Sequence, residues 1–156
     1  MCGIALGVWH HEDTQPRDAW TSVISQIQRR GRDAYHSVAC TQDGTRWELH
    51  ASVLCLRGKE LTPQPITSQD GHLHLAWNGQ IFSSEHEDDS LLDMERNDGA
   101  IIMTRLEEHA DQIPDVLVST LSAVDGPYAF VLVDTRNACI YLSLIHISEP
   151  TRLRRI

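Results

Sequence analysis

Cys2 places a thiol at the second residue, so removal of Met1 would put that thiol and a free α-amino group on one residue. An ordinary thiol, with a pKa of about 8.5, is only a few per cent thiolate at neutral pH and needs a nearby base to act as a nucleophile. The α-amino group, with a reference pKa of roughly 7.7–8.0, titrates close enough to neutrality to serve as that base. On position alone the competing reading is a small apolar residue opening a strand, because Ile4, Ala5, Leu6, Val8 and Trp9 follow it. Asn78-Gly79, taken by itself, is a hairpin turn signal. Cys40, Cys55 and Cys139 form no C-x-x-C pair and fall in strand-like runs, which predicts buried small hydrophobes. Among the nine histidines, His72 and His74 would share one face of a strand, but no third ligand follows at a recognisable spacing, so no metal site is expected.

The elements that must position Cys2 are legible in the periodicity. Residues 4–9 form a short apolar run suited to a buried strand. Pro16 suits a first helical turn, with Asp13 or Thr14 as cap, and Trp20, Val23, Ile24 and Ile27 fall at helical spacing up to Arg29-Arg30-Gly31. Strand-like segments at 37–41, 47–56 and 72–77 follow, separated by Asp43-Gly44 and by a Pro-containing loop over 63–71, and predict a meander. The stretch 83–98 holds seven acidic residues and reads as a solvated loop. Residues 99–110 and 113–124 read as helices, the second opening at Pro114, and 127–134 with 138–142 as a strand pair. Antiparallel strands with helices in blocks predict an α+β layered fold.

At 156 residues and 41% hydrophobic content the chain fits one domain. A net charge of −9 disfavours nucleic acid and anionic membranes as partners, since both would repel it at long range. No stretch approaches a membrane span and no signal-peptide pattern is present, so a cytoplasmic location is expected. Residues 143–156 break the acidic character with three arginines and one acid, and resemble a translated sequencing adapter. The expectation is a domain over 1–142 followed by a non-native tail over 143–156.

Six segments in order, Met1-Cys2-Gly3-Ile4, Gln28-Arg29-Arg30-Gly31-Arg32-Asp33, Leu56-Arg57-Gly58, Gln64-Pro65-Ile66, Trp77-Asn78-Gly79-Gln80-Ile81-Phe82 and Asp125-Gly126-Pro127-Tyr128-Ala129-Phe130, together resemble the class II glutamine amidotransferase domain. The resemblance implies an α+β fold of the four-layer αββα kind found in N-terminal-nucleophile hydrolases, incomplete at the C-terminus. It also implies hydrolysis of glutamine to glutamate and ammonia through a Cys2 thioester, with ammonia passed to a synthetase-like partner domain that makes an amide. No cofactor is implied for the glutaminase step; ATP and Mg²⁺ are implied only for that partner domain.

The same resemblance assigns roles residue by residue. Asn78, through its side-chain NH₂, and Gly79, through its backbone N–H, would form the oxyanion hole. Arg57 would hold the glutamine α-carboxylate with its guanidinium fork. Asp98 would accept from the α-ammonium group; its competing role is helix N-cap. Gln80 stands where the family has glutamate, so an acceptor oxygen is kept and a negative charge beside the ammonium is lost. Arg32 stands where the family has proline, which predicts looser closure of the loop over substrate. These two departures favour an alternative reading, a non-catalytic amidotransferase-like scaffold or binding domain.

Overall fold

A computed structural model of the chain describes residues 2–10, 17–55, 61–84 and 96–145. Strand β1 (Gly3–His10) leads to helix α1 (Arg17–Arg30), then to β2 (Ala34–Gln42) and β3 (Thr45–Val53). A short β4 (Ile66–Thr67) precedes β5 (Leu73–Gly79) and β6 (Ser83–Ser84). Helices α2 (Asp98–Glu108) and α3 (Ile113–Ser122) are joined by one 3-10 turn and followed by β7 (Val124–Asp125), β8 (Tyr128–Asp134) and β9 (Cys139–Ile145). The strands form two main antiparallel sheets, ordered β1-β3-β2 and β4-β5-β8-β9, and β6 pairs with β7. The chain is thus mixed α+β with several antiparallel sheets.

Local chemistry accounts for much of this. Asp43 (φ 49°) and Gly44 (φ 74°) both take positive φ between the paired Gln42 and Thr45, the two-residue hairpin geometry whose twist matches its flanking strands. Strand β3 alternates strictly. Trp47, Leu49 and Ala51 face the second sheet and pack on Ala76 of β5 and on Val131 and Val133 of β8. Glu48 and Ser52 face α1, bonding the Trp20 indole and the Ile27 carbonyl. The other face of the second sheet, Leu73, Leu75, Trp77, Tyr128, Phe130 and Leu132, packs on Ile101, Ile102, Met103 and Leu106 of α2 and on Ile113 and Leu117 of α3. Each such buried side chain stabilises by about 1.5–3 kcal/mol, so the two clusters carry most of the cohesion.

Three expectations are corrected. Residues 37–41, 47–56 and 72–77 do not make one meander: the first two lie in the β2–β3 hairpin, whereas β5 sits between β4 and β8 in the other sheet. The long connection after Val53 carries the chain from one sheet to the next instead of turning back on β3. The cysteines are less buried than predicted, with Cys40 and Cys139 half-buried and Cys55 exposed, because β3 ends at Val53 and leaves Cys55 outside the sheet. Val23, on the predicted apolar stripe of α1, is 40% exposed, and the helix packs instead through Trp20, Ile24 and Ile27. Strand β9 runs to Ile145, so Ser143, Leu144 and Ile145 pair with Phe130, Ala129 and Tyr128. Among the described residues, no helix is long and apolar enough to cross a membrane.

Candidate active site

Cys2 stands at the open end of β1, half-buried, with its Sγ 3.9 Å from the Leu54 carbonyl oxygen, toward which it donates. The residue after it is held tightly. Gly3 lies opposite Ser52 in the ladder and donates its N–H to the Ser52 hydroxyl at 3.1 Å. A Cβ on Gly3 would stand 2.7 Å from both Ser52 Oγ and the Ile27 carbonyl oxygen, so only glycine lets β1 approach α1 this closely. The turn Gly31–Asp33 is tied to the same region: Asp33 donates its N–H to the Val53 carbonyl at 3.0 Å, and its carboxylate accepts from the Cys55 N–H at 2.7 Å.

Asn78 and Gly79 are not a turn. They form the extended end of β5, opposite Ala129 and Tyr128, which overturns the hairpin reading of this dipeptide. Gly79 is required by close approach: a Cβ there would lie 2.5 Å from Tyr128 Cβ and 2.7 Å from the Pro127 carbonyl oxygen. The next residue, Gln80, is exposed and donates its N–H to that same carbonyl at 3.0 Å. Trp77, just before Asn78, stacks on Tyr128 with ring centroids 5.1 Å apart, so both sides of the Asn78-Gly79 step are braced.

Asp98 is 3% exposed, and its Oδ2 accepts from the Ile81 N–H at 2.9 Å. It is not the helix cap. Asn97 caps α2, its Oδ1 accepting from the Gly99 N–H at 3.0 Å, and Asp98 occupies the first helical position, where the helix dipole favours a negative charge. The buried carboxylate therefore ties the start of α2 to the residue that follows Gln80. Ile4, two residues after Cys2, packs on the same intersheet cluster that contains Ala76, two residues before Asn78. The packing between the sheets is thus what links the Cys2 strand to the Asn78 strand. Arg57, expected to bind a carboxylate, lies outside the described residues.

The sequence assigned no role to the buried polar side chains of Ser52 and Gln64. Ser52, fully buried, is in the sequence the last of the alternating polar positions of β3, after Glu48 and His50. Gln64, 2% exposed, accepts from the Trp77 N–H at 2.7 Å through its Oε1 and so braces β5 just before Asn78. The histidine pair diverges: His74 is buried beside Trp47 and bonds Thr67, whereas His72 is exposed and bonds Thr135. On the α1 side of β3, burial pushes the Glu48 carboxyl up, but hydrogen bonds from Arg46, Trp20 and His50 outweigh it and hold the group at about 2. A cleft of about 410 Å³ between Asp70, Leu73, Thr104 and Glu107 lies at the other end of β5 from Asn78.

The glutamine amidotransferase domain matches residues 1–147, and the chain belongs to that family. Among individual proteins, it is 31% identical over 131 residues to asparagine synthetase domain-containing protein 1 of Bos taurus, covering 84% of this chain and 19% of that protein. The Gallus gallus protein of the same name is 33% identical over 134 residues, covering 84% of this chain and 20% of the relative. A glutamine-hydrolyzing asparagine synthetase of Asparagus officinalis is 29% identical over 143 residues, covering 89% of this chain and 22% of that enzyme. The chain therefore spans about one fifth of the length of these curated relatives.

Proposed function

We propose that this chain is the glutaminase portion of a glutamine-dependent amidotransferase of the asparagine-synthetase type, built as a four-layer αββα sandwich of the N-terminal-nucleophile kind. The packing order of α1, the β1-β3-β2 sheet, the second sheet and the α2/α3 pair supports that fold reading. With Met1 removed, the Cys2 amine takes the thiol proton as sulfur attacks the glutamine side-chain amide carbon. The tetrahedral oxyanion is stabilised by the Asn78 side-chain NH₂ and the Gly79 N–H. Collapse returns the proton to the departing nitrogen, releasing ammonia and leaving a γ-glutamyl thioester on Cys2. Water then cleaves the thioester, giving glutamate and regenerating the thiol.

Arg57 and Asp98 hold the two charged ends of the substrate amino acid. The observation that carries this reading is the Asp98–Ile81 hydrogen bond, which sets a buried carboxylate within one residue of Gln80 and three of Asn78. Ammonia passes to a synthetase-like domain, which is where ATP and Mg²⁺ would act. A second reading, a non-catalytic scaffold, is favoured by one feature: Gln80 is exposed and neutral where the family places a carboxylate. Ammonia release from glutamine by the full-length protein, compared with Cys2→Ala, separates the two readings. Release that depends on Cys2 supports the enzyme, and a folded wild type with no release supports the scaffold.

A further inference from the structure

Two backbone segments meet at the Ser52 hydroxyl. It accepts from the Gly3 N–H at 3.1 Å and donates to the Ile27 carbonyl at 2.5 Å. That carbonyl, near the end of α1, also accepts from the Gly31 N–H at 3.4 Å. No side chain fits between the segments: a Cβ on Gly31 would lie 2.5 Å from both the Ser52 carbonyl carbon and the Val53 nitrogen, as one on Gly3 would collide with Ser52 and Ile27. Ser52 itself is 0% exposed, so water does not compete for these bonds.

The consequence falls on Cys2. The Gly3 N–H belongs to the peptide unit that joins Gly3 to Cys2, and that unit is planar. With the Gly3 Cα held in β1, fixing the direction of the N–H fixes the plane, including the Cys2 Cα that lies in it. Rotation about the Cys2 Cα–C bond is then the one backbone freedom left between this plane and the bonds carrying the α-amine and the thiol side chain.

We infer that Ser52 is a positioning residue for Cys2: by clamping the Gly3 N–H to the end of α1, its hydroxyl fixes the peptide plane that carries the Cys2 Cα, and so the placement of the amine and thiol borne on that carbon, and couples them to the Gly31–Asp33 turn. The inference rests on the reading of Cys2 as a self-activated nucleophile. Ser52 touches neither the substrate nor the reacting atoms; it acts through the backbone.

The test uses full-length protein lacking Met1, as wild type, Ser52→Ala and Ser52→Cys, the last keeping a weak donor and acceptor at similar size. Two quantities are measured: kcat and KM for ammonia release, and the pH dependence of Cys2 alkylation by iodoacetamide, read peptide by peptide. Cys40, half-buried against the intersheet cluster, serves as the internal control for folding. The expected result for Ser52→Ala is a kcat reduced by about tenfold or more with KM within about twofold. Its Cys2 alkylation profile moves toward that of an unassisted thiol, Cys40 is unchanged, and Ser52→Cys falls between the other two. Wild-type kinetics in Ser52→Ala, or a superimposable Cys2 profile, overturns the inference. So does Cys40 becoming reactive in parallel with Cys2 in both variants, which marks Ser52 as structural only. If the wild type releases no ammonia, the glutaminase reading fails, and the alkylation profiles still decide whether Ser52 orients the thiol.

Discussion

Asp98 combines a visible structural bond with a proposed substrate contact, and three substitutions separate them. Asn97→Ala removes the cap acceptor of the Gly99 N–H and should cost about 1 kcal/mol of stability while leaving KM unchanged. Asp98→Ala removes the acceptor of the Ile81 N–H, a charge-assisted bond worth about 1.5–3 kcal/mol, and a favourable charge at a helix N-terminus worth about 0.3–1 kcal/mol. Its stability loss should therefore be roughly 2–4 kcal/mol. Asp98→Asn keeps an oxygen for Ile81 but loses the charge, so stability should fall by only about 1 kcal/mol. Losing the ammonium contact in the same variant should raise KM for glutamine by about 10- to 100-fold, the equivalent of roughly 1.5–3 kcal/mol, with kcat little changed. Urea denaturation and an ammonia-release assay on the full-length protein give both quantities. An unchanged KM in Asp98→Asn, with stability falling as far as in Asp98→Ala, would refute the substrate role and leave Asp98 a structural carboxylate at the start of α2.

Gly79→Ala forces a Cβ to within 2.5 Å of Tyr128 Cβ, and overpacking of this kind should destabilise by about 1–3 kcal/mol; a denaturation midpoint equal to wild type would show that the strand pair yields freely. Gln80→Glu restores a charge at an exposed position, where screening limits the gain to under about 1 kcal/mol, so KM for glutamine should fall no more than about fivefold. A KM that does not fall at all would mean that position 80 does not face the ammonium group. Glu48→Gln tests the linkage on the far side of β3. The native carboxyl sits at about 2 against a reference of 4.5, so its stabilisation is fully present above pH 4.5 and is lost as pH falls toward about 2. The stability gap between wild type and Glu48→Gln should close across that window in acid denaturation, and a gap independent of pH would contradict the assigned hydrogen bonds.

Features set by a few adjacent residues were legible. The Asp43-Gly44 dipeptide specified its hairpin because both residues tolerate positive φ, and the α1 and α3 spans followed from apolar spacing and from Pro114 at a helix start. Features set by distant partners were not. Asn78-Gly79 has a turn's composition, yet pairing with Ala129 and Tyr128, some fifty residues away, holds it extended. Asn97 and Asp98 are both good caps, and only the contact with Ile81 shows that the second is engaged elsewhere. Ser52 carries no local signal, because its two partners, Gly3 and Ile27, come from different elements. The resemblance marked candidate site residues through a group of motifs, but which side chains brace Cys2 and Asn78 is a property of packing between sheets and helices.

The account turns on Cys2 as an N-terminal nucleophile. The most direct measurement is intact-mass and peptide analysis of full-length protein, isolated from cells, mixed with glutamine and quenched in acid within the first turnovers, with ammonia followed in parallel. The account predicts a chain beginning at Cys2, a γ-glutamyl adduct on that residue alone, and ammonia release abolished by Cys2→Ala. A folded protein that retains Met1 and still hydrolyses glutamine, or one that begins at Cys2 and yields neither adduct nor ammonia, would contradict it.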